Sequence, residues 1–228
     1  MSGAGNALLD SGQVVDDVGQ GQNRTARGTR DVTLANATRQ RKRGNVPAVI
    51  LVTDESRLAD PAAVMDTLPP GTGVWLRHYA APEREALARR LAVIARRRRL
   101  VLVVAGADWR LAARIGAAGV HLPEAVARSA NLAGLRLWLR HRRMLSVAAH
   151  SRTGLNRAVR LGADCALLSP VFATASHPGA VTLGAIRFAQ WAQGAGLPVI
   201  ALGGVNAATA RKLRFAAGLA AIGGFQQR

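Results

Sequence analysis

The sequence predicts an α/β protein in which eight parallel strands alternate with helices and close into a (β/α)8 barrel, the TIM-barrel fold. Eight short apolar runs, rich in Val, Leu and Ala, are separated by segments whose apolar residues recur at the helical period. Hydrophobic residues make up 49% of the 228 residues but aromatic residues only 4%, which is typical of helices packed on a parallel sheet. The count of eight favours a closed barrel over a doubly wound open sheet.

The predicted strands are continuous apolar runs, as expected where both faces of a parallel sheet are covered. β-Branched residues dominate several of them, as in the segments AVILVT and LVLVVA. In chain order the predicted strands are Ala48–Thr53, Gly73–Arg77, Leu100–Ala105, Gly119–Leu122, Leu145–Ala149, Cys165–Ser169, Pro198–Leu202 and Ala220–Gly223.

The segments between the strands carry helix signals. The first starts with Asp60 and Pro61, an N-cap followed by a first-turn proline. The longest has Leu87, Leu91 and Ile94 on one face and arginines on the other. The predicted helices are Asp60–Leu68, Pro82–Arg98, Asp108–Ala117, segments of Glu124–Arg143 that break near Asn131–Gly134, Thr153–Leu161, Ala185–Gln193 and Asn206–Ala217. A full eighth helix has no room, so the barrel is uncapped there, or the N-terminal segment or a partner subunit covers that face.

Residues 1–45 differ in composition from the rest of the chain. Gly, Asn, Gln, Asp and Arg dominate, and hydrophobic periodicity is weak. Such a segment buries too little apolar surface to offset the entropy lost on ordering. We therefore predict a disordered, basic and polar N-terminal tail, followed by a barrel domain over residues 46–228.

The formal net charge of +18 raises the question of a nucleic-acid partner. The charge is mostly arginine, and its densest runs, Arg96–Arg99 and Arg140–Arg143, fall at predicted helix C-termini, where cations complement the helix dipole. No basic motif interleaved with aromatic residues accompanies them in the sequence. The pattern favours solvated helix ends over a nucleic-acid surface.

The sequence also predicts a compartment. No apolar run reaches the roughly 18–20 residues that cross a bilayer, and the first residues do not form a signal-peptide pattern. The single cysteine, Cys165, lies in a predicted buried strand, which excludes a disulfide framework and a thiolate metal cluster. We expect a cytoplasmic protein without a membrane partner, and the sequence leaves a homo-oligomer open.

Polar residues and glycines follow the predicted strands, at the end of the barrel where ligands bind. His150 and Ser151 follow the fifth strand, and the loop Ser169–His177 follows the sixth. The pairs Gly203–Gly204 and Gly223–Gly224 end the seventh and eighth strands. Because glycine permits close approach, neighbouring amides can converge on an anion there. The two pairs predict a phosphate site.

Several segments resemble one known family, the superfamily of thiamine phosphate synthase and thiazole tautomerase (TenI-like). They occur in family order over Val46–Phe225, and the most specific is the sixth-strand segment GAD–SPVFAT. The matching segments are Ile50–Asp54, Trp75–Arg77, Ile115–Leu122, Ser146–Ser151, Leu161–Gly179 and Pro198–Val205. The resemblance implies a (β/α)8 barrel that binds a hydroxyethylthiazole phosphate.

The chain departs from the synthase pattern on the side that would hold Mg²⁺ and an aminopyrimidine diphosphate. The typical second-strand pattern QLREK is WLRHY here, which keeps Arg77 but has Trp75 for Gln and Tyr79 for Lys. Gly106 and Ala107 stand where the family usually has an Asn-Asp pair after the third strand. His177 stands where the family usually has a lysine after the sixth-strand loop.

The family's metal-binding carboxylates are also missing, which leaves Asp108 and Glu124 as weak candidate ligands. Mg²⁺ prefers several oxygen ligands in octahedral array. The resemblance therefore implies a degenerate metal and diphosphate site, with Mg²⁺ as a cofactor only if synthase activity is retained.

The resemblance implies roles for the retained residues. His150 occupies the position of the proton-transferring histidine of tautomerase-like relatives, and Arg77 is the second predicted catalytic residue. Imidazole suits proton transfer because its pKa lies near neutral pH. The predicted substrate-binding residues are Ser151, Thr174, His121, His177, Gly203, Gly204, Gly223 and Gly224.

Three functions remain open from the sequence. The first is a thiamine phosphate synthase-like transferase of thiamine biosynthesis that binds thiazole phosphate. The second is a metal-free tautomerase that uses His150. The third is a non-catalytic barrel that binds a phosphate ligand or has a regulatory role.

Overall fold

A closed barrel of eight parallel strands forms the centre of the computed structural model, which describes residues 46–129, 132–174 and 179–222. Each strand pairs with the next in sequence, and β8 pairs with β1 through Val49 and Leu219. The strands are β1 Val49–Val52, β2 Gly73–Leu76, β3 Val101–Ala105, β4 Gly119–Leu122, β5 Met144–Ala149, β6 Cys165–Leu168, β7 Val199–Leu202 and β8 Gly218–Ala221. The predicted (β/α)8 fold is confirmed.

Helices follow the strands around the barrel. They are α1 Pro61–Met65, α2 Arg84–Arg98, α3 Trp109–Arg114, α4 Glu124–Ser129, α5 Ala133–Leu139, α6 Arg152–Arg160, α7 Gly184–Gln193 and α8 Ala207–Ala210. The predicted N-cap is confirmed, since the Asp60 side chain accepts a hydrogen bond from the Ala62 N–H. The predicted break within the fourth helical region is also confirmed, because α4 and α5 are separate helices.

The last predicted helix, Asn206–Ala217, is wrong in extent. A capping box between Asn206 and Thr209 starts α8, but the helix ends at Ala210. The chain then turns, and Phe215 adopts a left-handed φ of 62°. A right-handed helix cannot continue through that conformation.

Two hydrophobic clusters form the core because successive strand residues face opposite sides of the sheet. One lies between the sheet and the helices. The other fills the barrel interior and includes Ile50, Trp75, Leu167 and Cys165. Cys165 is fully buried, as predicted, and burial raises the pKa of its thiol to about 12.

Arginines gather at the C-terminus of α2, as the sequence predicts. Arg96 and Arg98 donate hydrogen bonds to the carbonyls of Ile115 and Leu68, and Arg97 forms an ion pair with Asp66. Part of the large positive charge therefore stabilises helix ends and neighbouring loops.

Two predictions fall on other parts of the chain. The predicted tail, residues 1–45, lies outside the described residues, and so do residues 223–228, to which the prediction of an incomplete eighth helix refers. Within the described ranges, no helix combines the length and low polarity needed to cross a membrane.

Candidate active site at the carboxyl end of the barrel

A cavity of about 610 Å³ lies at the carboxyl ends of the strands, and residues from several strands and loops line it. This volume is in the range of small-molecule sites. Its polar and glycine lining includes Arg57, Arg77, Tyr79, His121, Glu124, His150, Ser169, Thr174, Gly203 and Gly204. The barrel therefore brings together six residues predicted for catalysis or substrate binding, namely Arg77, His121, His150, Thr174, Gly203 and Gly204, and with them Glu124, a weak candidate metal ligand.

Two arginines, Arg57 and Arg77, form the cationic side of the cavity, and both lie beside the Asp54 carboxylate. Asp54 accepts hydrogen bonds from Arg57 Nη2 at 3.0 Å and from Ser56 Oγ at 2.7 Å, and Arg77 Nη2 lies 4.0 Å from the same carboxylate. The Arg57 hydrogen bond is the main reason that the pKa of Asp54 lies well below its usual range. Two guanidinium groups share one carboxylate, so a positive charge remains for a bound anion.

Arg57 is a cavity residue that the sequence reasoning missed. It stands three residues after Asp54, the last residue of the segment ILVTD. That spacing lets its guanidinium return to the Asp54 carboxylate within one loop. An arginine this close to the carboxyl end of a strand could have indicated a residue of the ligand site.

His150 follows β5 and is held by two neighbouring elements. Its backbone N–H donates to Glu124 Oε2 at 2.9 Å, and its ring Nδ1 lies 2.8 Å from the Ser169 carbonyl oxygen. A carbonyl oxygen can only accept, so the proton of neutral His150 sits on Nδ1. Nε2 then carries the free lone pair, so Nε2 of His150 can act as a general base.

His121 lies at the end of β4 and is almost fully buried. Its Nδ1 lies 2.9 Å from Ser146 Oγ. Burial, with added repulsion from Arg77 and His150, lowers the pKa of His121 to about 3. His121 is therefore neutral at physiological pH, although it borders a cationic region.

Gly203 and Gly204 form a tight turn after β7, with φ of 93° and 62°. A Cβ on Gly203 would lie 2.9 Å from Pro170 Cα, and one on Gly204 would lie 2.7 Å from Phe172 Cβ. Both values are below normal contact distances. The turn thus requires glycine, and it presents bare backbone to the cavity.

Ser151 makes a structural contact at the start of α6. Its side chain accepts a hydrogen bond from the Gly154 N–H at 3.0 Å and caps the helix. Ser151 does not line the cavity formed by the described residues. A substrate contact for Ser151 stays a prediction.

The two candidate metal ligands are both engaged with arginines. Asp108 caps α3 and pairs with Arg84 at 3.2 Å. Glu124 pairs with Arg128 at 2.9 Å and Arg157 at 3.4 Å. Burial raises the pKa of Glu124, but hydrogen bonds from Arg128 and the His150 N–H outweigh it, so the net pKa lies below the usual value.

These contacts do not fit a resident Mg²⁺, which needs several free oxygen ligands. Among the residues that the structure describes, no group of three or more His, Cys, Asp or Glu residues could hold a metal ion. A metal role for Asp108 or Glu124 stays a prediction and would require their ion pairs to break. His177, Gly223 and Gly224 lie outside the described residues, so their predicted roles also stay predictions.

A family model described as thiamine monophosphate synthase matches residues 49–225, which is nearly the whole barrel. The chain belongs to the thiamine monophosphate synthase family. The resemblance inferred from the sequence segments is thereby confirmed.

Two curated relatives show a distant similarity in sequence. The thiamine-phosphate synthase of Thioalkalivibrio sulfidiphilus is 32% identical over 127 residues, which cover 55% of this chain and 58% of the relative. That of Thiobacillus denitrificans is 28% identical over 165 residues, or 72% and 73% of the two chains. The match thus spans less than two thirds of the first relative's length.

Solved structures agree on the fold. The thiamine phosphate pyrophosphorylase from Pyrococcus furiosus has a TM-score of 0.62 and 20% identity, over 77% of this chain and 85% of that chain. A structure described as native KDPGal has a TM-score of 0.54 and 16% identity, over 79% and 84%. At these identities the likeness concerns the barrel alone.

Proposed function

We propose that this protein is a thiamine phosphate synthase-like transferase of thiamine biosynthesis that binds a hydroxyethylthiazole phosphate. Membership of the thiamine monophosphate synthase family supports the enzyme class. The observation that carries the proposal is the cavity itself, which joins the Gly203–Gly204 turn, His150 and Arg77 at the carboxyl end of one barrel.

Each part of the cavity has a role in this proposal. The glycine turn receives the thiazole phosphate, because bare backbone after the seventh strand is a common phosphate site in barrels. The thiazole ring lies towards His121 and His150. Arg57 and Arg77 hold the second anionic group, the diphosphate of the aminopyrimidine substrate, and stabilise its charge as it leaves.

Arginines are the main charge-stabilising groups available on the diphosphate side. Asp54, Asp108 and Glu124 each form an ion pair with an arginine, which supports a degenerate metal site. We propose that added Mg²⁺ acts only together with the diphosphate, as a cation bound to the substrate. Coupling is therefore expected to be slower than with a complete acidic site.

The geometry of His150 favours one further candidate, a thiazole tautomerase. With Nδ1–H held by the Ser169 carbonyl, the Nε2 lone pair can take a proton from the sp3 ring carbon of a thiazole tautomer that has an exocyclic double bond. His150 then returns the proton to the exocyclic carbon, and the double bond moves into the ring, which becomes aromatic. No metal is needed for that transfer.

One set of assays distinguishes these functions. The purified full chain is incubated with both substrates, with and without Mg²⁺, and separately with the thiazole tautomer. Thiamine phosphate formation supports the transferase, and its absence above background contradicts that function. Aromatisation that is lost in His150→Ala but kept in the exposed control His141→Ala identifies a tautomerase. Binding without either reaction identifies a non-catalytic barrel.

A further inference from the structure

A buried chain of hydrogen bonds connects three strands beneath the cavity. The indole Nε1–H of Trp75 on β2 donates to Ser146 Oγ on β5 at 2.9 Å. Ser146 Oγ in turn lies 2.9 Å from His121 Nδ1 on β4. Trp75 and Ser146 are fully buried, and His121 is 6% exposed. These hydrogen bonds therefore link Trp75 in the barrel interior to His121 in the cavity lining.

Only one arrangement of protons gives every donor in this series of hydrogen bonds an acceptor among the contacts that the structure shows for it. An indole N–H can only donate, so Ser146 Oγ must accept from Trp75. The Ser146 hydroxyl is buried, and its hydrogen needs an acceptor of its own. The acceptor within reach is His121 Nδ1. His121 Nδ1 is then unprotonated, and the ring proton of neutral His121 sits on Nε2.

The reverse arrangement is less favourable. If His121 Nδ1 carried the proton, Ser146 Oγ would accept from both Trp75 and His121. The buried Ser146 hydroxyl hydrogen would then lack a partner among the contacts that the structure gives this residue. An unsatisfied buried donor costs about 1–3 kcal/mol.

His121 and His150 thus differ although both border the same cavity. The Ser169 carbonyl keeps the proton of neutral His150 on Nδ1 and leaves a lone pair on Nε2. The Ser146 hydroxyl keeps Nδ1 of His121 unprotonated and leaves an N–H on Nε2. One histidine can accept a proton, and the other can only donate a hydrogen bond.

We infer that Trp75 and Ser146 are positioning residues that hold neutral His121 in the Nε2–H tautomer, as a hydrogen-bond donor to the ligand. The ligand atom that it recognises is an uncharged acceptor with an exposed lone pair, such as a ring nitrogen. A cationic imidazole would instead favour an anionic ligand group, and Arg57 and Arg77 in the same lining already provide positive charge for an anion. The identity of the ligand rests on the proposed function, whereas the state of His121 does not.

The direct test is nitrogen NMR of the ligand-free full chain labelled at histidine. Between about pH 5 and 8, His121 should keep a protonated Nε2 and an unprotonated Nδ1. A proton on Nδ1, or titration of the ring in this range, would overturn the inference. This readout does not depend on the ligand or on activity.

Variants of Ser146 and Trp75 distinguish an effect on the tautomer of His121 from an effect on folding. Ser146→Ala should leave His121 as a mixture of tautomers, because Nδ1 loses its donor. If the orphaned indole prevents folding, the double variant W75F/S146A removes both polar groups and should show the same mixture. The control Thr72→Val loses a hydroxyl hydrogen bond elsewhere and should keep the single tautomer. A single Nε2–H tautomer in a folded Ser146→Ala protein would contradict the role of Ser146.

Calorimetry with hydroxyethylthiazole phosphate then tests the ligand contact. His121→Leu should weaken binding about 3- to 10-fold, the value of one neutral hydrogen bond. His121→Gln, which can place an amide N–H at similar reach, should recover part of the affinity. Equal affinities of the Leu and Gln variants would refute the donor role. A wild-type chain that binds none of this ligand would refute the proposed function, while the NMR result would still decide the tautomer.

Discussion

Arg57 and Arg77 show how single residues determine the charge of the cavity. Both lie beside Asp54, and neither is fully neutralised by it. Glu124, the acidic residue in the cavity lining, is paired with Arg128 and Arg157. The described lining therefore favours anionic ligands, and its two histidines provide the groups for recognition and proton transfer.

A substitution at Gly204 tests the phosphate turn. Gly204→Ala should lower the free energy of unfolding by about 2–5 kcal/mol, because the left-handed backbone and a clash with Phe172 both oppose a Cβ. Gly162→Ala is a matched control, since Gly162 also has positive φ but its Cβ would face open space. The control should lose only about 1–2 kcal/mol. Equal losses, measured by chemical denaturation, would contradict the steric argument.

The lowered pKa of His121 predicts a specific pH dependence of stability. Its pKa falls from the ordinary 6.5 to about 3 in the folded protein. Between these values the unfolded chain binds a proton that the folded chain does not, so stability falls as pH falls through this window. Above about pH 6.5 the group has no further effect.

Denaturation of the wild type and His121→Gln at several pH values measures this contribution. Below about pH 6, the wild type should lose stability more steeply, by up to about 1.4 kcal/mol per pH unit. The difference between the two proteins removes the contributions of the other titrating groups. Parallel curves would show that His121 does not keep a low pKa.

The sequence was informative about individual cavity residues where they directly follow a strand. His121, His150 and Gly203 are close to strand ends, and the (β/α)8 fold alone brings them together. Arg57 was missed because its place depends on a side-chain contact with Asp54 inside a loop. The link between Trp75 and Ser146 joins residues far apart in sequence and could be seen only in three dimensions.

Helix α6 shows how an element can account for a residue that was predicted for the site. Ser151 has the extended backbone of an N-cap, and α6 packs against β5 and β6. Serine at that position satisfies a backbone N–H that would otherwise be orphaned. Sequence alone could not separate the cap from a ligand contact, because both place a polar residue directly after a strand.

Two substitutions of Ser151 separate capping from substrate binding. Ser151→Ala should lower the free energy of unfolding by about 1 kcal/mol, whereas Ser151→Asp should keep the cap. If Ser151 also contacts the substrate phosphate, the added charge of Ser151→Asp should weaken thiazole phosphate binding. Thermal denaturation and calorimetry report the two effects. An equal loss of stability in both variants would contradict the capping role.

At the scale of the whole molecule, the described residues form one closed barrel with the candidate site at the carboxyl ends of its strands. The strand pattern predicted the closed sheet because period and length are local properties. The helix after β7 was overextended because it ends at Ala210 without a glycine or proline that would mark the end in the sequence. Trp75 stands where the synthase pattern has Gln, and it fills the barrel interior beneath the cavity.

Removal of metal tests the charge arrangement of the whole site. Affinity for hydroxyethylthiazole phosphate should be unchanged when EDTA replaces Mg²⁺, because Asp54, Asp108 and Glu124 are each held by an arginine. Calorimetry in the two buffers measures this. A loss of tenfold or more in EDTA would show that a metal contributes to the thiazole side.

The proposed function requires that the cavity bind a thiazole phosphate with its phosphate at the Gly203–Gly204 turn. The most direct measurement is a calorimetric titration of the full chain with hydroxyethylthiazole phosphate. Wild type and Gly162→Ala should saturate at one ligand per chain, and folded Gly204→Ala should bind at least about tenfold more weakly, because its Cβ displaces the turn. Absence of saturable binding in the wild type, or equal affinity in Gly204→Ala, would contradict it.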